Sequence, residues 1–304
     1  MRQNLLGSLL PVAKDDVGDQ VCRHLSPQPS AMVEEESIMT AFHVMGGADH
    51  SFTRPAIRKI GIADLVDALK LGLDDFSEKP SHYVFLCLMY PIAGIALAIW
   101  STDQNLLPLL FPLMSGFALL GPMAAIGLYE ISRRREKGLD TSWSHAFEVR
   151  HSPALPSIIV AGLMLFGVFI VWLLVAQNIY FIFFGDGVQP TLLSFVSSVL
   201  TTRAGMAMIF WGDLAGFVFA LVVLATTVVT FPLLLDRDVG VVAAIDASIR
   251  ATLINPVPVA VWGLIVAALL VIGTIPVFVG LAVVMPILGH ASWHLYRKLV
   301  VAQD

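Results

Sequence analysis

One run, Phe111 to Arg135 (FPLMSGFALLGPMAAIGLYEISRRR), constrains the fold of this chain more than any other feature. No charge interrupts it before Glu130, and at about 1.5 Å per residue it is long enough to cross a hydrocarbon layer of about 30 Å. Pro122 predicts a bend, which membrane helices tolerate because neighbouring groups re-satisfy the freed carbonyl. Arg133, Arg134 and Arg135 close the run where helix carbonyls carry partial negative charge. Clustered Lys and Arg also stay cytoplasmic during insertion, so this end faces inward.

Composition agrees with a membrane setting. The chain has 304 residues, 57% hydrophobic and 13% charged, against about 25% charged for a soluble domain. The expected class is all-α, a polytopic helical bundle in contact with the lipid bilayer. The net charge of -5 is an average over a few inter-helix segments, and it implies no nucleic-acid partner. Cys22 lies in a polar tail and Cys87 in an apolar run, so neither a disulfide nor a cysteine-ligated metal is expected. The LLGSLLPVA run after Arg2 is too weakly apolar, and too closely followed by the polar Lys14–Asp19, for a signal peptide. Residues 1–52 read as a disordered cytoplasmic tail.

The membrane domain is expected over 53–304. Ile62, Leu65, Val66, Leu69, Leu73 and Phe76 recur at helical spacing opposite Asp64, Asp67, Lys70 and Asp74, an amphipathic helix that lies on the membrane or packs under the bundle. His82–Trp100 is a first span and the Phe111–Arg135 run a second. Ser157–Phe184 and Leu214–Leu235 make spans three and four. A second amphipathic pattern follows, with Val242, Ile245, Ile249 and Leu253 opposite Asp246 and Arg250. Val257–Gly273 and Pro276–Leu295 form a last tight hairpin. With six transmembrane helices and both termini cytoplasmic, every Lys and Arg except Arg203 falls on the inner side.

The chain also repeats. A shift of 164 residues lays Pro122, Tyr129, Glu130, Arg133 and Arg134 on Pro286, Trp293, His294, Arg297 and Lys298. A shift of 176 lays Leu65, Ala68, Leu69, Leu73 and Pro80 on Val241, Ala244, Ile245, Ile249 and Pro256. These matches predict parallel helix-hairpin units over about 57–135, 140–238 and 239–298, of which the middle one aligns poorly. Parallel units argue against an inverted-repeat transporter. The segments LYEISRRREKGLD, FPLLLDRDVG, the Asn255-Pro256 pair and LGHASWHLYRKLV resemble the domain-of-unknown-function family numbered 2189, predicted bacterial integral membrane proteins. The resemblance covers roughly 57–300 and implies a multi-pass inner-membrane protein. It brings no activity, substrate or catalytic residue.

Few groups could carry chemistry. His290 and His294 lie four apart on one helical face, a spacing that can offer two ligands to a metal or a haem edge, although His294 also suits an anchoring role at the cytoplasmic rim. Glu130 is placed to pair with Arg134 one turn on. Asp213, beside Trp211, reads as the N-terminal cap of span four at the outer rim. Asp236, Arg237 and Asp238 join Arg133, Arg134 and Arg135 as a cytoplasmic charge cluster. No nucleophile elbow, phosphate-binding loop or dinucleotide fingerprint occurs, so catalysis is disfavoured and no cofactor or metal is expected. A non-enzymatic scaffold or accessory subunit working with other membrane proteins ranks first. A small-solute transporter or channel comes second, and a metal- or haem-linked redox or assembly protein third.

Overall fold

Sequence spacing along the first amphipathic helix sets where the rest of the chain can pack. The computed structural model describes residues 44–47, 54–78, 92, 95, 96, 99, 109–185, 191–276 and 278–302, and the helices named below lie in one unit, His43–Asp304. The expected first span falls almost wholly outside the described residues, as does most of the expected tail.

Helix α1 (Ile62–Glu78) buries Leu65, Ala68, Gly72 and Asp75 against α11 (Leu281–Leu299). Asp64 accepts a hydrogen bond from Gly61 N at 2.8 Å and starts α1. Before α1, Arg58 N donates to Leu299 O and Val301 N to Ala56 O, with an isolated antiparallel bridge between Ile57 and Val300. The two ends of the unit are therefore stitched together by backbone as well as by side chains.

The opening run is not one helix. It divides into α2 (Leu110–Leu119), α3 (Gly121–Ala124) and α4 (Ile126–Glu136). Pro122 sits in the first turn of α3, where a missing N–H removes no intrahelical bond. The breaks at Leu120 and Ala125 stay satisfied through Ala124 N to Leu120 O and Ala125 N to Gly121 O. Pro122 thus starts a helix where a bend in a continuous one was expected, whereas Pro286 stays inside the unbroken α11.

A 3-10 helix, Trp143–His151, packs on α4. It leads into α5 (Leu155–Phe184), 30 residues without a charge, which Gly185 ends at φ +62. After α6 (Leu192–Thr201) come α7 (Arg203–Thr227) and α8 (Thr230–Asp236). Then follow α9 (Val241–Ile254) and α10 (Pro256–Thr274). Among the described residues the chain is helical and forms no sheet. Among the described residues, three segments are long and apolar enough to cross a membrane: α5, Arg203–Asp236 and α10.

Asp213 does not cap a helix. The helix begins ten residues earlier, where Thr202 Oγ1 accepts from Gly205 N at 3.0 Å. Hydroxyl capping at Thr202 makes a start at Asp213 unnecessary. The buried face of α9 also differs from the expected stripe of large residues. Val241, Ala243, Ala244, Ala247, Ser248 and Ala251 face α7 and α8, while Val242, Ile249 and Leu253 remain exposed. Small residues win this contact because they let two helix backbones approach closely.

Three helix ends meet at the centre. α4, α8 and α11 pack against one another there and bury Leu128, Ile131, Phe231, Leu233, Leu295 and Leu299. Each end also carries one packed helix: the 3-10 helix on α4, α9 on α8 and α1 on α11.

Candidate functional site

Asp75 continues the buried row of α1, one step beyond Leu65, Ala68 and Gly72 at helical spacing. It is 5% exposed and reaches the junction of α4 and α11. Ser132 Oγ donates to Asp75 Oδ2 at 2.5 Å, and His294 Nε2 donates to the same oxygen at 2.9 Å. Arg135 Nη1 donates to Oδ1 at 2.7 Å and also pairs with Glu78 at 2.9 Å. Ser132 Oγ lies 2.7 Å from His290 Nδ1. Because the hydroxyl hydrogen is committed to Asp75, His290 Nδ1 carries its proton and donates to Ser132.

That order of partners decides the chemistry. In a hydrolytic triad the imidazole stands between the carboxylate and the serine and takes the serine proton. Here the serine stands between carboxylate and imidazole, with Ser132 1% and His290 0% exposed. Its hydroxyl is a buried strut, not an activated nucleophile. Burial raises the Asp75 carboxyl, but the hydrogen bonds from His294 and Ser132 and the nearby histidines outweigh it and hold the group below the ordinary carboxylate range.

A second group joins all three ends. Tyr296 OH donates to Asp236 Oδ2 at 2.7 Å, and Arg297 bridges Asp236 at 3.5 Å and Glu136 at 2.9 Å. Trp293 Nε1 donates to Glu136 at 3.2 Å, and Arg237 Nη2 donates to Val301 O at 2.7 Å. Asp238 lies in the turn leading to Gly240, which takes φ +76.

A third group ties α4 to the 3-10 helix. Glu130, 2% exposed, accepts two hydrogen bonds from Arg133 at 2.7 and 2.9 Å. Arg134, the expected partner, also pairs with Glu130, at 4.0 Å, and makes closer contacts with Glu148 at 2.5 Å and the Asp140 carbonyl at 2.7 Å. The three-residue step is the tighter of the two because Arg134 has these two further acceptors on the neighbouring segment. His145 contacts Glu148 at 2.5 Å and Asp140 at 3.0 Å, and these two bonds raise its pKa. A raised folded value means that the contribution is complete below the ordinary imidazole pKa of about 6.5 and is lost as pH rises through the folded value. Hydrogen-exchange protection of 143–151 should therefore fall as pH rises above about 6.5, and His145→Gln should abolish that step. A pH-independent profile in the wild-type protein would refute the link.

The expected polar site is thus divided. His290 and His294 do come together, around Asp75. Glu130 pairs with Arg133 and Arg134 instead, and Asp213 is exposed on α7, apart from both groups. Asp75 and Ser132 were missed, although Asp75 falls in register with Leu65, Ala68 and Gly72 and not with the polar residues of α1. Among the described residues, no group of three or more His, Cys, Asp or Glu is arranged to hold a metal ion.

No curated protein and no solved structure matches the chain. A family match covers α2 to α8, including Glu130, the arginine block and Asp236, but not Asp75, His290 or His294, and so spans a narrower range than the resemblance read from the sequence. Residues 110–236 match the family described as "Predicted integral membrane protein (DUF2189)", the family that LYEISRRREKGLD resembles.

Proposed function

We propose that the chain is a multi-pass protein of the bacterial inner membrane, with both termini cytoplasmic, that acts without catalysis as a scaffold or accessory subunit for other membrane proteins. Its six spans form three parallel helix hairpins closed into a ring. Three crossings of equivalent register support the ring. Gly127 meets Ala146, with 3.1 Å between the position of an added Cβ and the alanine Cβ. At a constant step of 102 residues (127 to 229, 146 to 248), Val229 N donates to Ser248 Oγ at 3.4 Å. Ala291, at the 164 shift from Gly127, meets Gly72, which stands at the 176 shift from Ser248. Each hairpin's packed helix rests on the preceding return helix, and α1 on α11 closes the circle.

The observation that carries the scaffold reading is that the charged groups at the junction bind one another. Asp75, Glu130, Glu136 and Asp236 all accept from side chains of the junction itself. Purification from the native host in mild detergent, with cross-linking and mass spectrometry, should yield stoichiometric membrane partners; a lone species at its own mass would overturn the reading.

A second reading rests on the path from His294 through Asp75 and Ser132 to His290, which runs from a partly exposed group to a fully buried one. It favours a proton-coupled transporter, and pH-dye flux in proteoliposomes that depends on Ser132 would select it. Absorbance and metal content of the same purified sample test the metal- or haem-linked class.

A further inference from the structure

The two amphipathic helices keep more apolar surface than their packing uses. At ~100° per residue, Ile62, Val66, Leu69 and Leu73 share an arc of about 60° on α1. Leu69 is partly covered, but Ile62, Val66 and Leu73 are 47%, 46% and 48% exposed. On α9, Val242 and Ile249 stand at the 176 shift from Val66 and Leu73, and they are 40% and 39% exposed. The buried residues correspond as well: Leu65, Ala68 and Gly72 to Val241, Ala244 and Ser248. Both helices therefore have three faces: one against a return helix, one polar, and an apolar stripe between them.

Two observations identify what covers the stripes. First, α9 passes into the membrane-crossing helix α10 through the single residue Asn255, and exposed apolar side chains run on from Leu253 (72%) to Val257 (65%) and Leu264 (69%). Second, Asn255 pins the segment before α1 at this junction. Its Oδ1 accepts from Ile60 N at 2.8 Å, and its Nδ2 donates to Arg58 O at 3.0 Å. Arg58 and Lys59 are thereby held with exposed side chains where the amphipathic helix turns into the span. A helix with an apolar face and basic flanks suits the headgroup and acyl-chain boundary of an anionic leaflet.

We propose that α1 and α9 form a docking surface for the anionic cytoplasmic leaflet, with their stripes among the acyl chains and Arg58 and Lys59 against lipid phosphates. The inference rests on the membrane placement proposed above and not on the scaffold role, so absence of protein partners would leave it standing.

The test uses the full chain with Cys22→Ser and Cys87→Ser, single spin labels, and nanodiscs containing phosphatidylglycerol. Labels at Val66, Leu73, Val242 and Ile249 should collide with oxygen severalfold more than with a water-soluble nickel chelate, and labels at Lys70 and Asp74 should show the reverse. Equal nickel access at stripe and control positions would overturn the proposal. So would immobile stripe labels shielded from both reagents, which would indicate a protein partner. Arg58→Glu with Lys59→Glu should remove the preference for phosphatidylglycerol over phosphatidylcholine, read by phosphorus NMR of retained lipid, while the stripe collisions stay unchanged. An unaltered preference would refute the role of the two cations.

Discussion

Gly72→Val is expected to lift α1 off α11. A Cβ at residue 72 would lie 2.5 Å from Ala291 N and 2.7 Å from Ala291 Cα and Cβ. These are backbone or backbone-adjacent atoms of a continuous helix, so they cannot yield as a flexible side chain would. Overpacking of this kind costs about 1–3 kcal/mol by itself. Here it also strips cover from Leu65 and Ala68 and pulls Asp75 from three donors, so the total should exceed that range. Hydrogen exchange over 62–78 should approach that of an unprotected segment, while α5 keeps its protection. Gly127→Ala provides the graded comparison, since its added Cβ meets Ala146 at 3.1 Å and needs only a small shift. Unchanged protection of α1 in Gly72→Val would mean that this crossing does not hold α1 on α11.

Asp75→Asn should produce the second large effect. Removing one member of a buried charge group leaves its partners uncompensated, typically at about 3–5 kcal/mol. Arg135 keeps Glu78, which places the expected loss at the lower end. Ser132, His294 and Arg135 lose a charged acceptor, and an amide can turn its oxygen to Ser132 and His294 or to Arg135 but sets its NH2 against the donors on the other side. The pH dependence gives a signature. The folded carboxyl titrates below its ordinary value, so its contribution is complete above about pH 4 and disappears as pH falls through the folded value. The gap in thermal midpoint between wild type and Asp75→Asn should stay constant from about pH 5 to 8 and close in acid. Coincident midpoints at neutral pH would show that Asp75 does not anchor the junction.

Patterns that depend on side-chain size and charge were legible in the sequence. The uncharged length of α5 and α10, the alternation along α1, and the basic ends of α4 and α11 could each be read directly. Features that depend on the backbone could not. The chain is cut at Leu120 and Ala125 without any change in hydrophobicity, and Thr202 outcompetes Asp213 as a cap through one hydroxyl bond. The close approaches are equally silent in the sequence: Val229 N meets Ser248 Oγ, Gly127 meets Ala146 and Gly72 meets Ala291, and contacts made by backbone leave little side-chain pattern to read. At the site, paired histidines drew attention to α11, while the acid that organises them lay in a helix whose other acids face water.

Closure of α1 on α11 also orders events during synthesis. Asp75 and His294 stand 219 positions apart. At about 5–20 residues per second, α1 leaves the ribosome roughly 10–45 s before its partner exists. Through that interval Asp75 can meet only Ser132 and Arg135 of α4, made about 60 residues after it, while Leu65, Ala68 and Gly72 have no α11 to rest on and the lipid surface is their nearest shelter. The first amphipathic helix to emerge is thus the last to reach its final place, and a chain arrested before Leu281 carries an exposed α1 as a mark of incompleteness.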